Sequence, residues 1–192
     1  MHLVKNPSIF CLIANGFEEM EAVVPVDLLR RAGSTVVLAT VGEELDVRGH
    51  NGITVKADVS LLGVSPALSE EGKPHFDALV IPGGRNGVEK LREDGRAKKI
   101  AAAYEQWGAW VAAICAGPLI LADAGLLSHR QYTAHSSISM EMPHILISKR
   151  VVVERKVVTS SSAGAALDFG LTLVELLMGE EKMQGVRRSI LG

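Results

Sequence analysis

Apolar residues in this chain come in short blocks separated by charged stretches of helical spacing. Residues 8–14 (SIFCLIA), 34–41 (STVVLATV), 76–84 (FDALVIPGG) and 109–115 (AWVAAIC) are apolar runs of the length expected for strands buried on both faces. The first closes on Asn-Gly, the third on Pro-Gly-Gly, and the fourth runs into Ala-Gly-Pro. Residues 18–32 predict a helix with Val23, Val24, Leu28 and Leu29 on one side and Gly33 at its stop. Pro25 inside it predicts a kink or a first-turn position. Further helices are expected over 88–91, 96–106, 116–127 (ending near Gly125), 163–179 and 180–191. Residues 52–61 (GITVKADVSL) predict a short strand at the sheet edge, 64–75 a surface loop, 132–135 (YTAH) a short strand and 150–161 a hairpin.

Strands alternating with helices imply an α/β fold: an open, mostly parallel sheet with helices on both faces. The chain's 192 residues suit one domain over 1–192, and 47% hydrophobic content suits a globular core. A net charge of −2 with scattered Lys and Arg gives no case for nucleic acid or a membrane surface as partner. Two cysteines in separate apolar runs, Cys11 and Cys115, fit a reducing cytoplasm better than a disulfide framework. The N-terminal apolar run is too short for a signal peptide and reads as a first strand.

Ligands of such sheets bind beyond the carboxyl ends of the strands. Four of those ends carry NGFEEME, PGG, CAGP and TAH, so a carboxylate, a glycine turn, a thiol and an imidazole should converge. Cys115 sits where a strand turns into a helix, the position of a nucleophile elbow. That location predicts a depressed thiol pKa and faster reaction with iodoacetamide than Cys11, which lies inside a strand. The ordinary alternative, a small core residue, is the assignment made for Cys11. Gly84, with the N–H of Ala116, is placed to form an oxyanion hole, although Pro-Gly-Gly also suits a plain turn. Glu18, Glu19 and Glu21 open a helix, where acids commonly just complement the dipole; spacing does not choose among them. His135 is a candidate acid or base. The other histidines lie in loops or near termini. No metal-ligand spacing, GxGxxG or P-loop is present, so neither a metal nor a nucleotide cofactor is indicated.

The stretches EEMEAVVPVDLLRRAG, VIPGG, AAICAGP and DFGLTLVELLMG together resemble the ThiJ/PfpI superfamily, in particular its Parkinsonism-associated protein deglycase branch and bacterial ThiJ-like relatives. The likeness spans nearly the whole chain. It implies a flavodoxin-like sandwich, similar to class I glutamine amidotransferases, and a homodimer that buries the first helix. It also implies Cys115 as an oxidisable nucleophile, Glu21 as a protonated carboxylic acid bonded to the thiolate, Gly84 and Ala116 as oxyanion-hole amides, and His135 as the nearby histidine. Two departures stand out. SSSAG (160–164) replaces a segment that carries a site-lining arginine or glutamine, and Arg48 is shifted from the place of a second-loop arginine.

The function expected is a cofactor-independent, cysteine-dependent enzyme acting on glyoxal, methylglyoxal or their early protein adducts: a protein deglycase or glutathione-independent glyoxalase. Its partners would be a small aldehyde or glycated protein side chains. Two rivals remain: a non-enzymatic oxidative-stress sensor or chaperone working through Cys115 oxidation, and a cysteine amidase or peptidase.

Overall fold

A computed structural model of the chain describes residues 5–61 and 67–191. Nine strands and six α-helices follow one another among these residues. Strand β1 (Ser8–Ile13) leads through α1 (Glu19–Arg31) into β2 (Thr35–Thr40). A hairpin of β3 (Asp46–Arg48) and β4 (Thr54–Lys56) follows, then the two-residue β5 (Val59–Ser60). Next come β6 (Ala78–Ile81), α2 (Arg85–Asp94), α3 (Arg96–Gln106), β7 (Trp110–Ile114) and α4 (Pro118–Asp123). The chain closes with β8 (Val151–Glu154), β9 (Val157–Ser160), α5 (Ala166–Met178) and α6 (Glu180–Leu191).

The main sheet has the order β5-β2-β1-β6-β7-β9-β8, parallel except at the β8 edge. Within it β2-β1-β6-β7-β9 is the flavodoxin-like order, whose direction reverses between β1 and β6. The period-2 rule for strands divides the core in two. Phe10 and Leu12 of β1 pack with Leu79, Ile81, Val111 and Ala113 against α2, α3 and α4. Ile9, Cys11 and Ile13 pack with Val80, Ala112 and Ile114 against α1 and α5. Both layers are apolar against these central strands, which explains why the strands read as continuous apolar runs rather than alternating ones.

Pro25 falls on the seventh residue of α1, neither at its first turn nor at its end. It removes the N–H that would pair with the Glu21 carbonyl. The helix tolerates this because Pro25 packs on α5: a Cβ on Gly170 would lie 3.0 Å from the Pro25 Cα and 2.6 Å from Leu28 Cδ1. Only a glycine permits that approach.

Two expected strands differ from the structure. Residues 52–61 do not form one edge strand: β4 pairs with β3 in a separate two-stranded sheet, and only β5 joins β2. Asp58 divides them, its carboxylate accepting from Leu38 N–H at 2.8 Å and from Arg30 at 3.3 Å. Residues 132–135 form no strand at all. Strand β7 already pairs with β6 and β9, so no ladder position is left. The segment is held instead by single bonds: Thr133 N–H to Thr159 Oγ1 (2.9 Å), Leu146 N–H to Tyr132 O (2.9 Å) and His135 N–H to Cys115 O (3.0 Å). Of the loop expected over 64–75, residues 64–66 lie outside the described residues, as does His2.

Candidate active site

The reversal point of the sheet is where β1, β6 and β7 deliver their C-terminal turns, and these turns are stitched together. Cys115 follows β7 directly and adopts φ = 63°. For a residue with a Cβ this left-handed conformation costs on the order of 1 kcal/mol. It is held from behind, where Cys115 N–H donates to Ser160 O at 2.9 Å, and by its own carbonyl accepting from His135 N–H. The side chain is half-buried. Helix α4 begins three residues later and is only six residues long. The sulfur's local support comes from two main-chain donors, the N–H groups of Gly84 and Ala116.

Gly83 and Gly84 make that approach possible. Gly84 has φ = 86°, and a Cβ there would sit 2.4 Å from Gly16 O and 2.5 Å from Glu18 N. A Cβ on Gly83 would sit 2.4 Å from Glu21 Oε2, 2.8 Å from Cys115 Cβ and 2.9 Å from Ala116 N. The Pro-Gly-Gly turn is therefore both a positive-φ turn and a donor of N–H groups to the site.

The three acids at the start of α1 have three separate partners. Glu18 is the N-cap, its Oε2 accepting from Glu21 N–H at 2.9 Å. Glu19 is buried and not a surface acid. It accepts from Asn51 N–H (2.7 Å), Asn51 Nδ2 (3.0 Å) and Ile53 N–H (3.2 Å). Burial pushes its carboxyl up, but these bonds and its own N–H outweigh that and hold it below the usual range. Glu21, 1% exposed, turns into the site. Its Oε2 accepts from Gly83 N–H at 2.9 Å, Ala163 N–H also donates to it, and its carboxyl is hydrogen-bonded to the Cys115 thiol.

Burial is the main reason the Glu21 carboxyl is pushed up to about 7; the Glu18 charge adds to it, and the bonds to Cys115, Gly83 and Ala163 oppose it. The Cys115 thiol is also pushed up, by burial first and then by the Glu21 charge and hydrogen bond, against the Ala116 and Gly84 N–H groups. This corrects the expectation of a simply depressed thiol pKa. Two buried groups in contact resist being anionic together, so they lose their protons as a pair: the first leaves near neutrality and the second only well above it.

His135 stands beside the Cys115 turn through its backbone. Its imidazole caps the 3-10 turn at Ser136–Ile138, with Nδ1 3.2 Å from Ser137 N–H and 2.8 Å from Ser137 Oγ. An Nδ1 that accepts from Ser137 N–H leaves the neutral ring's proton on Nε2. The segment after His135 is tied down by Glu141, which accepts from Arg85 (2.8 Å) and Arg92 (2.8 Å); Arg92 also grips Asp123 of α4 at 2.7 and 3.0 Å. Arg48 is exposed, and its guanidinium lies beside Gly52. Gly83, Ser160 and Ala163 escape a reading of residue types because they act through main-chain groups. Among the described residues no group of three or more His, Cys, Asp or Glu is placed to hold a metal ion, and no helix is long and apolar enough to cross a membrane.

Fold and site together define a flavodoxin-like α/β protein with a cysteine elbow at the sheet's reversal point. Residues 7–176 match the model of the DJ-1/PfpI family, and the chain belongs to that family. It is 32% identical over 189 residues to "Protein dj-1beta" of Drosophila melanogaster, covering 97% of each chain. It is 35% identical over 172 residues to "Deglycase PfpI" of Pyrococcus furiosus, covering 88% of this chain and 98% of that one. The crystal structure of Drosophila melanogaster DJ-1beta superposes with a TM-score of 0.88 at 30% identity, over 97% of this chain and 98% of the other.

Two outcomes are expected. In the folded protein iodoacetamide should modify Cys115 and spare Cys11, which is fully buried with its thiol pushed up to about 12; equal labelling rates by mass spectrometry would contradict this. The Glu21 carboxyl should also make stability pH-dependent. Its folded pKa lies above the ordinary carboxyl value of 4.5, so the folded state holds the proton more tightly and stability is lost as pH rises from 4.5 to about 7. Glu21→Gln should therefore gain stability over wild type above that window, by on the order of 3 kcal/mol. It should gain little below it. Denaturant unfolding on both sides of the window checks the sign.

Proposed function

We propose that the protein is a cofactor-independent, cysteine-dependent enzyme acting on methylglyoxal, glyoxal or their early protein adducts, as a deglycase or glutathione-independent glyoxalase. The observation that carries this reading is the Cys115 sulfur on a left-handed turn, with two main-chain N–H groups and the buried Glu21 carboxyl around it.

With one proton between them, transfer of that proton from the sulfur to the Glu21 carboxylate supplies a thiolate and an acid at once. The sulfur adds to the aldehyde carbon of methylglyoxal, and the carbonyl oxygen takes the Glu21 proton, giving a hemithioacetal. The Gly84 and Ala116 N–H groups stabilise the negative charge that moves between sulfur and oxygen. Glu21, now a carboxylate, removes the proton from that carbon. The proton returns at the neighbouring carbon while the hydroxyl proton passes between the two oxygens, a transfer suited to His135. The product is a lactoyl thioester, which water cleaves to lactate and the free thiol. One carbon is oxidised and its neighbour reduced, so the reaction needs no external electron acceptor. The same addition to a glycated side chain would end in release of the amine.

One observation favours a second use of the same thiol. A protonated Glu21 aimed at the sulfur would donate to a sulfinate, so stepwise oxidation of Cys115 by peroxide would be stabilised there. The amidase reading has no such support: His135 Nδ1 faces Ser137 and not a carboxylate.

We further propose a homodimer. Met20 and Val23 of α1 are 52% and 48% exposed, and Ile53, whose N–H bonds to Glu19 of the same helix, is 60% exposed. Exposed large apolar side chains on α1 and on the segment bonded to it suit a two-fold contact with a second copy. The two free thiols agree with a cytoplasmic location.

Cys115→Ala should abolish lactate formation from methylglyoxal. Glu21→Leu should lower it by roughly 10²–10⁴-fold with the fold intact by circular dichroism. Turnover by Cys115→Ala at the wild-type rate would overturn the enzyme reading. Sedimentation at micromolar concentration should give a dimer, and Val23→Glu a monomer; a monomeric wild type would exclude the contact.

A further inference from the structure

Three main-chain and side-chain bonds close a ring at the start of α1. Glu18 N–H donates to Gly83 O at 3.1 Å, Gly83 N–H donates to Glu21 Oε2 at 2.9 Å, and Glu21 N–H donates to Glu18 Oε2 at 2.9 Å. Each member fixes the next. The Glu18 carboxylate thus caps the very residue whose side chain meets the Cys115 thiol, and it does so on the short path through the ring. A neutral cap, such as the common Ser, Thr or Asn, would satisfy the same N–H. Glu18 brings a negative charge as well, half-buried at the base of the site.

We propose that Glu18 is a positioning residue with two effects: it holds Glu21 against Gly83 and Cys115, and its charge raises the pH at which the Cys115–Glu21 pair loses its first proton. This rests on the reading of Cys115 and Glu21 as the working pair. The groups facing Glu21 are few. Cys115 and Glu18 are the titratable ones that bear on it, and Gly83 and Ala163 contribute N–H donors only. Glu19, next in the chain, turns its carboxylate to Asn51 and Ile53. His135 has its Nδ1 on Ser137. A second negative charge beside the pair disfavours its anionic form, so the first proton stays on up to a higher pH.

The substitutions separate the two effects. Glu18→Gln keeps an oxygen that accepts from Glu21 N–H and removes the charge; Glu18→Ala removes both. The measurement is the iodoacetamide rate at Cys115 against pH, read by mass spectrometry, with melting temperature alongside. Glu18→Gln should move the midpoint to lower pH by about half a unit at an unchanged melting temperature. Glu18→Ala should melt a few degrees lower, as loss of a cap implies, and alkylate with a reduced plateau rate because Glu21 is no longer held. A Glu18→Gln midpoint equal to or above wild type overturns the proposal. Glu21→Gln is the control. If it moves the midpoint while Glu18→Gln does not, the role of Glu18 fails alone; if neither moves it, the pair itself is wrong.

Discussion

A carboxyl group turned inward at the end of a sheet organises this molecule's working edge. Glu21 is 1% exposed, and its partners are the N–H groups of Gly83 and Ala163 and the thiol of Cys115. Among the described residues its hydrogen-bond partners include no side chain of opposite charge, so its position depends on main-chain geometry. Gly83 can come close only because it has no Cβ, and Glu21 can reach it only because α1 begins two residues earlier with its cap on Glu18. Strands β1 and β6 are hydrogen-bonded neighbours, and that pairing brings the two turns within reach. A shift of one residue in that register would separate the carboxyl from the glycine and leave it buried without a partner.

The site holds several costly features at once. A buried carboxyl, a half-buried thiol and a left-handed cysteine each work against folding. The stabilisation lies elsewhere, in two apolar layers on either side of a sheet whose central strands are buried on both faces. Around the rim, charge does the tethering. Glu141, gripped by Arg85 and Arg92, ties the segment after His135 to α2, and Arg92 carries the tie on to α4. Exposed ion pairs are worth little singly; a network with a bidentate arginine holds more firmly.

Much of this was legible in the residues. The apolar runs gave the central strands, because a strand covered on both faces has no polar period to hide it. Cys115 stood out by its place at a strand end, and resemblance pointed to Glu21 among three neighbouring acids. Less legible were residues 132–135, which look like a strand but find every place beside β7 taken. Glu19 was equally opaque: an acid in a first turn reads as a surface charge, yet this one holds the 51–53 segment.

The sequence by itself determined the central strands, the main helices, their order and the residue types at the strand ends, since these follow from local spacing of apolar side chains and from turn chemistry. Tertiary structure decided which of those residues meet. The pairing of Glu21 with Cys115 depends on burial, which no local pattern encodes, and on N–H groups that every residue but proline carries and that leave no mark in the sequence. Their direction is set only when β1, β6 and β7 lie side by side.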